Sequence, residues 1–255
     1  MEVVNVFIVL AAAFAPALVW LFFFLREDAA HPEPRKLVAK VFLAGALVTI
    51  PTFLVQSGVE TLLTGRSDAI VIALAFIEEL FKFAAAYCVV RKNPAFDEPI
   101  DAMIYIAASA LGFATVENIF ITGSAYPLSA SLSAFFVAGG ALATLTYRFV
   151  GATLLHVLAS SLAGYTWARG LVPFEAGRPV VAVAAPLAGR PRTGWEQRRL
   201  WGFVVVGLLV ATAVHAVFNF LIYRFQYENL LIPTLFLLFA GFFVLVDFEK
   251  VKRLV

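Results

Sequence analysis

The sequence predicts an all-α membrane protein, a polytopic bundle of about seven transmembrane helices that forms a single integral membrane domain over residues 1–255. Apolar side chains make up 62% of the 255 residues, whereas a soluble domain is nearer to about 45–50% apolar. The excess must face lipid, where only helices and closed barrels satisfy the backbone. Because the apolar stretches are much longer than barrel strands of about ten residues, they indicate helices.

Seven apolar stretches have the length of about 20 residues that a helix needs to cross a bilayer. They are residues 3–25, 37–57, 69–90, 100–122, 148–168, 200–223 and 229–248. A further segment, 129–147, is apolar but short, and it is either an interfacial or re-entrant helix or an eighth span. We prefer seven spans, because an eighth would break the alternation of charge between successive connections.

Lys and Arg are distributed unevenly among the connections. One set of connections, including the basic loop 169–199, carries 15 of them, whereas the alternate set carries only Arg66, Arg148 and Arg224. Basic loops stay on the cytoplasmic side, so seven crossings predict an N-terminus outside, a C-terminus in the cytoplasm and loop 169–199 in the cytoplasm. The net charge of +2 does not favour nucleic acid as a partner, and the single Cys88 excludes an intramolecular disulfide or a cysteine-based zinc cluster.

Several predicted spans contain polar side chains that are expensive to place in lipid. A charge at mid-membrane costs at least about 2.5–3.5 kcal/mol and is by default a sign of function. With the topology above and about 1.5 Å per residue, these polar side chains fall in one layer of the outer half of the membrane. They are Glu78, Glu79 and Lys82 on the third span, Glu117 and Asn118 on the fourth, His156 on the fifth, and His215 and Asn219 on the sixth.

This residue set fits the hydrolysis of peptide bonds. His156, His215 and a carboxylate, for which Glu117 is the first choice, can form a His₂Glu zinc site that leaves one position open for water. Glu78 or Glu79 would then be the general base and Asn219 the oxyanion donor. A metal-free version, in which a glutamate and a histidine activate water directly, uses the same residues, and the sequence does not separate the two.

Spacing assigns supporting roles to the neighbours of these residues. Glu78 and Lys82 are four residues apart and can pair on one helix face. Phe113 stands four residues before Glu117, with Gly112 beside it allowing close helix approach. Arg148 lies at the outer end of the span that carries His156. Asp101, at the edge of the fourth span, is expected to cap that helix.

Four motifs in order resemble the PrsW family of intramembrane proteases, within the superfamily of CAAX prenyl and bacteriocin-processing proteases. They are EELFK at 78–82, GFATVEN at 112–118, His156 placed eight residues after Arg148, and HAVFN at 215–219. Residues 78–219 would be the catalytic core. The resemblance implies proteolysis within a prokaryotic cytoplasmic membrane, with substrates such as single-pass, anti-sigma factor-like regulators.

Two other classes of function stay open at this point. An ion- or proton-coupled transporter also keeps ionisable residues in the membrane, although internal repeats are usual there and none is visible in this sequence. A non-catalytic membrane scaffold of the same superfamily is the other alternative. A bound zinc at the polar layer would favour the enzyme, and a polar path across the whole membrane would favour the transporter.

Overall fold

The computed structural model describes residues 2–29, 31–63, 65, 67–125, 151–172, 193–225 and 231–254. Within these ranges the chain is helical without any strand, which confirms the predicted all-α bundle. The seven helices are α1 (Glu2–Leu25), α2 (Arg35–Leu62), α3 (Ser67–Val90), α4 (Asp101–Ala125), α5 (Thr153–Leu171), α6 (Gly194–Phe225) and α7 (Leu231–Lys252), and a short 3-10 turn (Arg26–Asp28) follows α1. The segment 129–147, Arg148 and most of loop 169–199 lie outside the described residues.

The outside of the bundle has the character of a lipid-facing surface. Four helices are long and apolar enough to cross a membrane, namely α2, α4 as far as Ile121, α6 and α7. Large apolar side chains such as Leu54, Leu62 and Phe239 are more than 60% exposed. A soluble protein rarely exposes apolar patches on this scale, so the chain is an integral membrane protein.

Helix α4 is the centre of the bundle and contacts α1, α2, α3 and α5. Every side chain from residue 101 to residue 115 is buried. The contact with α2 is especially close, because a Cβ atom added at Gly112 would lie 1.9 Å from the carbonyl oxygen of Phe42, and one added at Gly45 would lie 2.0 Å from that of Ser109. Small residues of this kind let helix backbones approach within a membrane, as expected for Gly112.

Three further helices close around one side of α4 and complete the polar layer. Helix α3 contacts α2, α4, α5 and α6, and α5 packs along both α4 and α6. An aromatic group formed by Phe83, Tyr87, Phe96 and Trp167 fills the space between α3, α5 and the loop before α4, with ring centroids 5.1–6.0 Å apart. This packing fixes the rotation of α3 and α5 about their axes, and so fixes where their polar side chains point.

Candidate active site

Four helices bring the polar residues that the sequence singles out into one buried cluster. The members from α3, α4, α5 and α6 are joined to one another by hydrogen bonds and ion pairs; they are Glu78, Glu79, Lys82, Glu117, His156 and His215. In each of these helices the side chains of the cluster point into the bundle, where they are buried or nearly buried.

Glu79 is the most firmly held carboxylate of the cluster and is only 1% exposed. Its Oε1 accepts hydrogen bonds from Lys82 Nζ at 2.7 Å and from His215 Nδ1 at 2.8 Å, and its Oε2 accepts one from Ser160 Oγ at 2.6 Å. Lys82, which is fully buried, provides the opposite charge that a buried carboxylate requires. Both oxygens of Glu79 are therefore committed to the protein.

His156 lies between a cation and a carboxylate. Its Nδ1 is 2.7 Å from Lys82 Nζ, and its Nε2 is 2.5 Å from Glu117 Oε2. Because an ammonium group can only donate, Nδ1 accepts and Nε2 carries the hydrogen that is donated to Glu117. The two neighbours thus fix both the tautomer and the orientation of the imidazole.

Glu78 faces the middle of the cluster. Its Oε1 accepts a hydrogen bond of 3.0 Å from Gln56 Nε2, whereas its buried Oε2 has no hydrogen-bond partner among the described residues. This oxygen lies 3.5 Å from Lys82 Nζ, 3.8 Å from His156 Nδ1 and 3.6 Å from His215 Nε2. A buried carboxylate oxygen without a hydrogen bond requires an explanation, such as a catalytic role or an unseen water or ion.

Glu78, His156 and His215 have the arrangement of a metal-ligand set. One ligand atom from each lies within 4.8 Å of the others, and the two imidazole rings stand 5.0 Å apart in an edge-to-face arrangement. Two histidines and one carboxylate make up a common catalytic zinc site. The hydrogen bonds from His215 to Glu79 and from His156 to Glu117 match the carboxylate contacts that orient metal-binding histidines.

The remaining predicted residues lie around this cluster. The Phe113 ring packs 5.7 Å from the His156 ring and 4.7 Å below Lys82 Nζ. Asn118 donates to Thr153 Oγ1 at 2.9 Å and so ties α4 to α5. Asn219 lies one turn beyond His215 on α6 and is half-buried.

Two contributors were missed in the sequence. Gln56 on α2 and Ser160 on α5 each bond to one of the paired glutamates. Ser160 stands four residues after His156, so its spacing on one helix face was a usable signal. Gln56 is a polar residue near the end of an apolar span, and sequence position gave no sign of which helix it would meet.

A helical bundle with an apolar outer surface and a buried carboxylate–histidine cluster defines this chain as an integral membrane protein with a buried polar site. The model of the family described as PrsW family intramembrane metalloprotease matches residues 33–246. The chain therefore belongs to the PrsW family, as the four motifs predicted.

Relatives of known name agree with this family. The chain is 33% identical over 115 residues to "Protease PrsW" of Geobacillus kaustophilus, in a match covering 44% of this chain and 51% of the relative. It is 32% identical over 115 residues to "Protease PrsW" of Bacillus subtilis, with 44% and 53% covered. The chain thus spans about half the length of the curated relatives it matches. No solved structure matches it.

Proposed function

We propose that the protein is an intramembrane endopeptidase that hydrolyses peptide bonds of membrane-anchored proteins. The observation that carries the proposal is the buried Oε2 atom of Glu78, which has no hydrogen-bond partner in the described part of the chain and faces both His156 Nδ1 and His215 Nε2. Membership of a protease family supports the same reading. Substrates of the anti-sigma factor type, a site in the outer half of the bilayer and the orientation of the termini belong to this proposal and rest on the sequence.

A zinc ion fits the residues of the site. Glu78, His156 and His215 would hold it, since they combine a His₂Glu donor set with a buried carboxylate oxygen that accepts no hydrogen bond from the described residues. When bound, zinc would polarise the peptide carbonyl and lower the pKa of water towards about 7. The geometry thus favours Glu78 over Glu117 as the third ligand.

The other side chains would prepare the site for this chemistry. Glu79 keeps the hydrogen of His215 on Nδ1, which leaves a lone pair on Nε2, and Glu117 likewise keeps the hydrogen of His156 on Nε2. Glu117 is 19% exposed at its side chain, whereas Glu79 is almost fully enclosed. We therefore propose Glu117 as the group that takes and returns a proton, with Glu79 as a positioning residue and Asn219 as the predicted oxyanion donor.

A metal-free peptidase is the second candidate, and one contact favours it. Lys82 Nζ lies 2.7 Å from His156 Nδ1, the atom that a metal would need. In this version Glu78 Oε2 accepts a proton from the attacking water, the oxygen of that water bonds to the peptide carbonyl carbon, and the departing amine takes the proton. Lys82 keeps the charge of the carboxylate pair balanced.

Metal content and cleavage measured on the same samples separate the two versions. Purified wild type should carry one zinc per chain and cleave members of a panel of single-pass membrane peptides. His156→Ala, His215→Ala and Glu78→Gln should lose both properties, whereas Glu117→Gln should keep zinc and lose cleavage. Glu60→Gln, which changes an exposed carboxylate on α2, is the control and should keep both.

Other outcomes lead to different conclusions. Cleavage by a protein that holds no zinc and resists chelators would replace the metal-dependent version with the glutamate-activated water. Failure of every membrane peptide in a broad panel, together with absence of zinc, would contradict the peptidase proposal and favour the scaffold or the transporter.

A further inference from the structure

A second acidic cluster lies at the other end of α4 from Glu117. Asp28 ends the 3-10 turn after α1, Glu33 stands just before α2, and Asp101 begins α4. One carboxylate oxygen from each of these three residues lies within 4.8 Å of the others. Asp101 and Glu117 are separated by roughly 24 Å along the helix at 1.5 Å per residue, so this cluster is distinct from the candidate active site.

Asp28 points to a missing ligand. Asp28 is only 5% exposed, and its buried Oδ2 has no hydrogen-bond partner among the described residues. Among the described residues, no Lys or Arg forms an ion pair with Asp28, Glu33 or Asp101. The Asp28 carboxylate accepts a hydrogen bond from the backbone of His31, but a buried negative charge without a Lys or Arg partner is still unfavourable, so a cation or a proton must compensate it.

Glu33 and Asp101 add a second sign of missing positive charge. One carboxylate oxygen of each lies within 4.8 Å of the other, so a proton or a cation must reduce the repulsion between two negative charges at this distance. The Tyr105 hydroxyl donates to Glu33, and Asp101 Oδ2 accepts from the backbone N–H groups of Asp97 and Glu98 at 2.9 Å each. These contacts hold the two carboxylates side by side, an arrangement that also suits two ligands of one metal ion.

The electrostatics of the loop residues agree with this geometry. Burial, together with the nearby Glu98 and Glu33 carboxylates, raises the pKa of Asp28 to about 6, while His31 opposes the shift. Burial also raises the pKa of Glu33. These carboxyl groups therefore hold their protons more tightly than free carboxyl groups do, as expected where the described residues bring several acidic groups together without a Lys or Arg partner.

We propose that Asp28, Glu33 and Asp101 form a binding site for a hard divalent cation, Ca²⁺ or Mg²⁺. The ligand atoms are carboxylate oxygens, which these ions prefer. Glu98 pairs with His31 at 2.9 Å, and together with Asp28 these two residues form a second group of potential ligands. Glu98 can therefore add a further carboxylate oxygen at the edge of the proposed cation site. The cation would join the end of α1 to the beginnings of α2 and α4. This proposal does not depend on the peptidase.

Equilibrium dialysis of the purified full-length chain in detergent against radioactive Ca²⁺ tests the site. We expect one saturable site per chain, at least tenfold weaker binding in Asp28→Asn and in Glu33→Gln, and competition by Mg²⁺. Asp97→Asn is the matched control, because it removes an exposed neighbouring carboxylate outside the ligand set, and its affinity should stay within twofold. His156→Ala should bind Ca²⁺ normally, which separates this site from the candidate active site.

Two results would overturn the proposal: no saturable Ca²⁺ binding to the wild type at millimolar concentrations, or equal affinity in Asp28→Asn. In either case the carboxylates share protons instead. If the variants do not fold, the thermal unfolding midpoint of the wild type decides, since Ca²⁺ bound to the folded state must raise it. No change in that midpoint on adding Ca²⁺ would also contradict the site.

The pH dependence of stability gives an independent readout. A carboxyl group whose pKa rises from 3.8 unfolded to about 6 folded stabilises the folded chain when protonated. Its contribution is therefore full below about pH 4 and is lost as the pH rises through 6. In the presence of a chelator, the unfolding midpoint should fall as the pH rises through this window. The titratable groups that face Asp28 are Glu33, Glu98, Asp101 and His31. Ca²⁺ should reverse the fall above pH 6 in the wild type and not in Asp28→Asn; no reversal in the wild type would argue for protons alone.

Discussion

The two adjacent glutamates of α3 have different surroundings although they are neighbours in the chain. Glu79 has both oxygens hydrogen-bonded, to Lys82 and His215 on one side and to Ser160 on the other. Glu78 keeps one buried oxygen free of hydrogen bonds among the described residues. A carboxylate with both oxygens hydrogen-bonded is suited to holding other groups in place. A carboxylate with one oxygen free of hydrogen bonds is suited to binding a metal or a water.

Ser160 should matter for catalysis through Glu79, although we do not expect it to touch a substrate. Ser160→Ala removes the hydrogen bond to Glu79 Oε2, and bonds to charged groups contribute about 1.5–3 kcal/mol. We expect kcat for peptide cleavage to fall about tenfold, with KM unchanged. Ser161→Ala is the matched control, because the neighbouring Oγ is buried without a hydrogen-bond partner among the described residues, and its kcat should stay close to that of the wild type.

Lys82 should matter for stability through the charge that it balances. Lys82→Met leaves Glu79 as an uncompensated buried charge, and breaking such a pair typically costs about 3–5 kcal/mol. Unfolding of the purified protein in detergent should show this loss, and the double variant Glu79→Gln/Lys82→Met should recover most of it. A double variant as unstable as Lys82→Met would show that the lysine acts through packing against Phe113 rather than through charge.

At the scale of helices, the contact between α2 and α4 holds the bundle together and positions two separate sites. Asp101 lies at one end of α4 and Glu117 towards the other, and Gln56 near the end of α2 reaches Glu78. Between them, Gly45 and Gly112 allow the two backbones to touch. A change of spacing here would therefore reach both the acidic cluster and the candidate active site.

Gly112→Ala should destabilise the bundle although alanine is the better helix former. Its Cβ would lie 1.9 Å from a backbone oxygen of α2, so the helices must separate. Gly58→Ala on α2 is the control, since nothing lies within 4 Å of its new Cβ, and it should be neutral or stabilising by up to about 1 kcal/mol. Unfolding midpoints in detergent provide the comparison; equal midpoints for the two variants would contradict the close helix contact.

For the whole molecule, the distribution of basic residues predicts one orientation in the membrane. In a Cys88→Ala background, Leu62→Cys at the end of α2 and Pro94→Cys after α3 place one exposed thiol at each end of the bundle. A membrane-impermeant maleimide should label Leu62→Cys in intact cells and Pro94→Cys only after permeabilisation. The reverse pattern would mean that the N-terminus lies in the cytoplasm and that the polar layer belongs to the inner half of the membrane.

Much of the architecture was predictable because it depends on local properties of the chain. An apolar stretch of about 20 residues is long enough to cross a bilayer, and the predicted stretches coincide with helices such as α4 and α6 within the described residues. The polar candidates were also identifiable, because placing an ionisable residue such as Glu79 or His215 in a transmembrane segment costs free energy and is by default a sign of function. The four motifs placed the chain in its family before any contact was known.

Hydropathy and motif spacing are local properties of the chain, and they were enough to predict the helical class, the family and most of the polar residues of the candidate site. The contacts between individual atoms follow from the packing of the helices. This packing brought Gln56 and Ser160 to the glutamates, turned Glu117 towards His156 Nε2, and gathered Asp28, Glu33 and Asp101 at one end of the bundle. These contacts join residues far apart in the chain, and they depend on how each helix is rotated and how closely it packs against its neighbours, which no local pattern specifies.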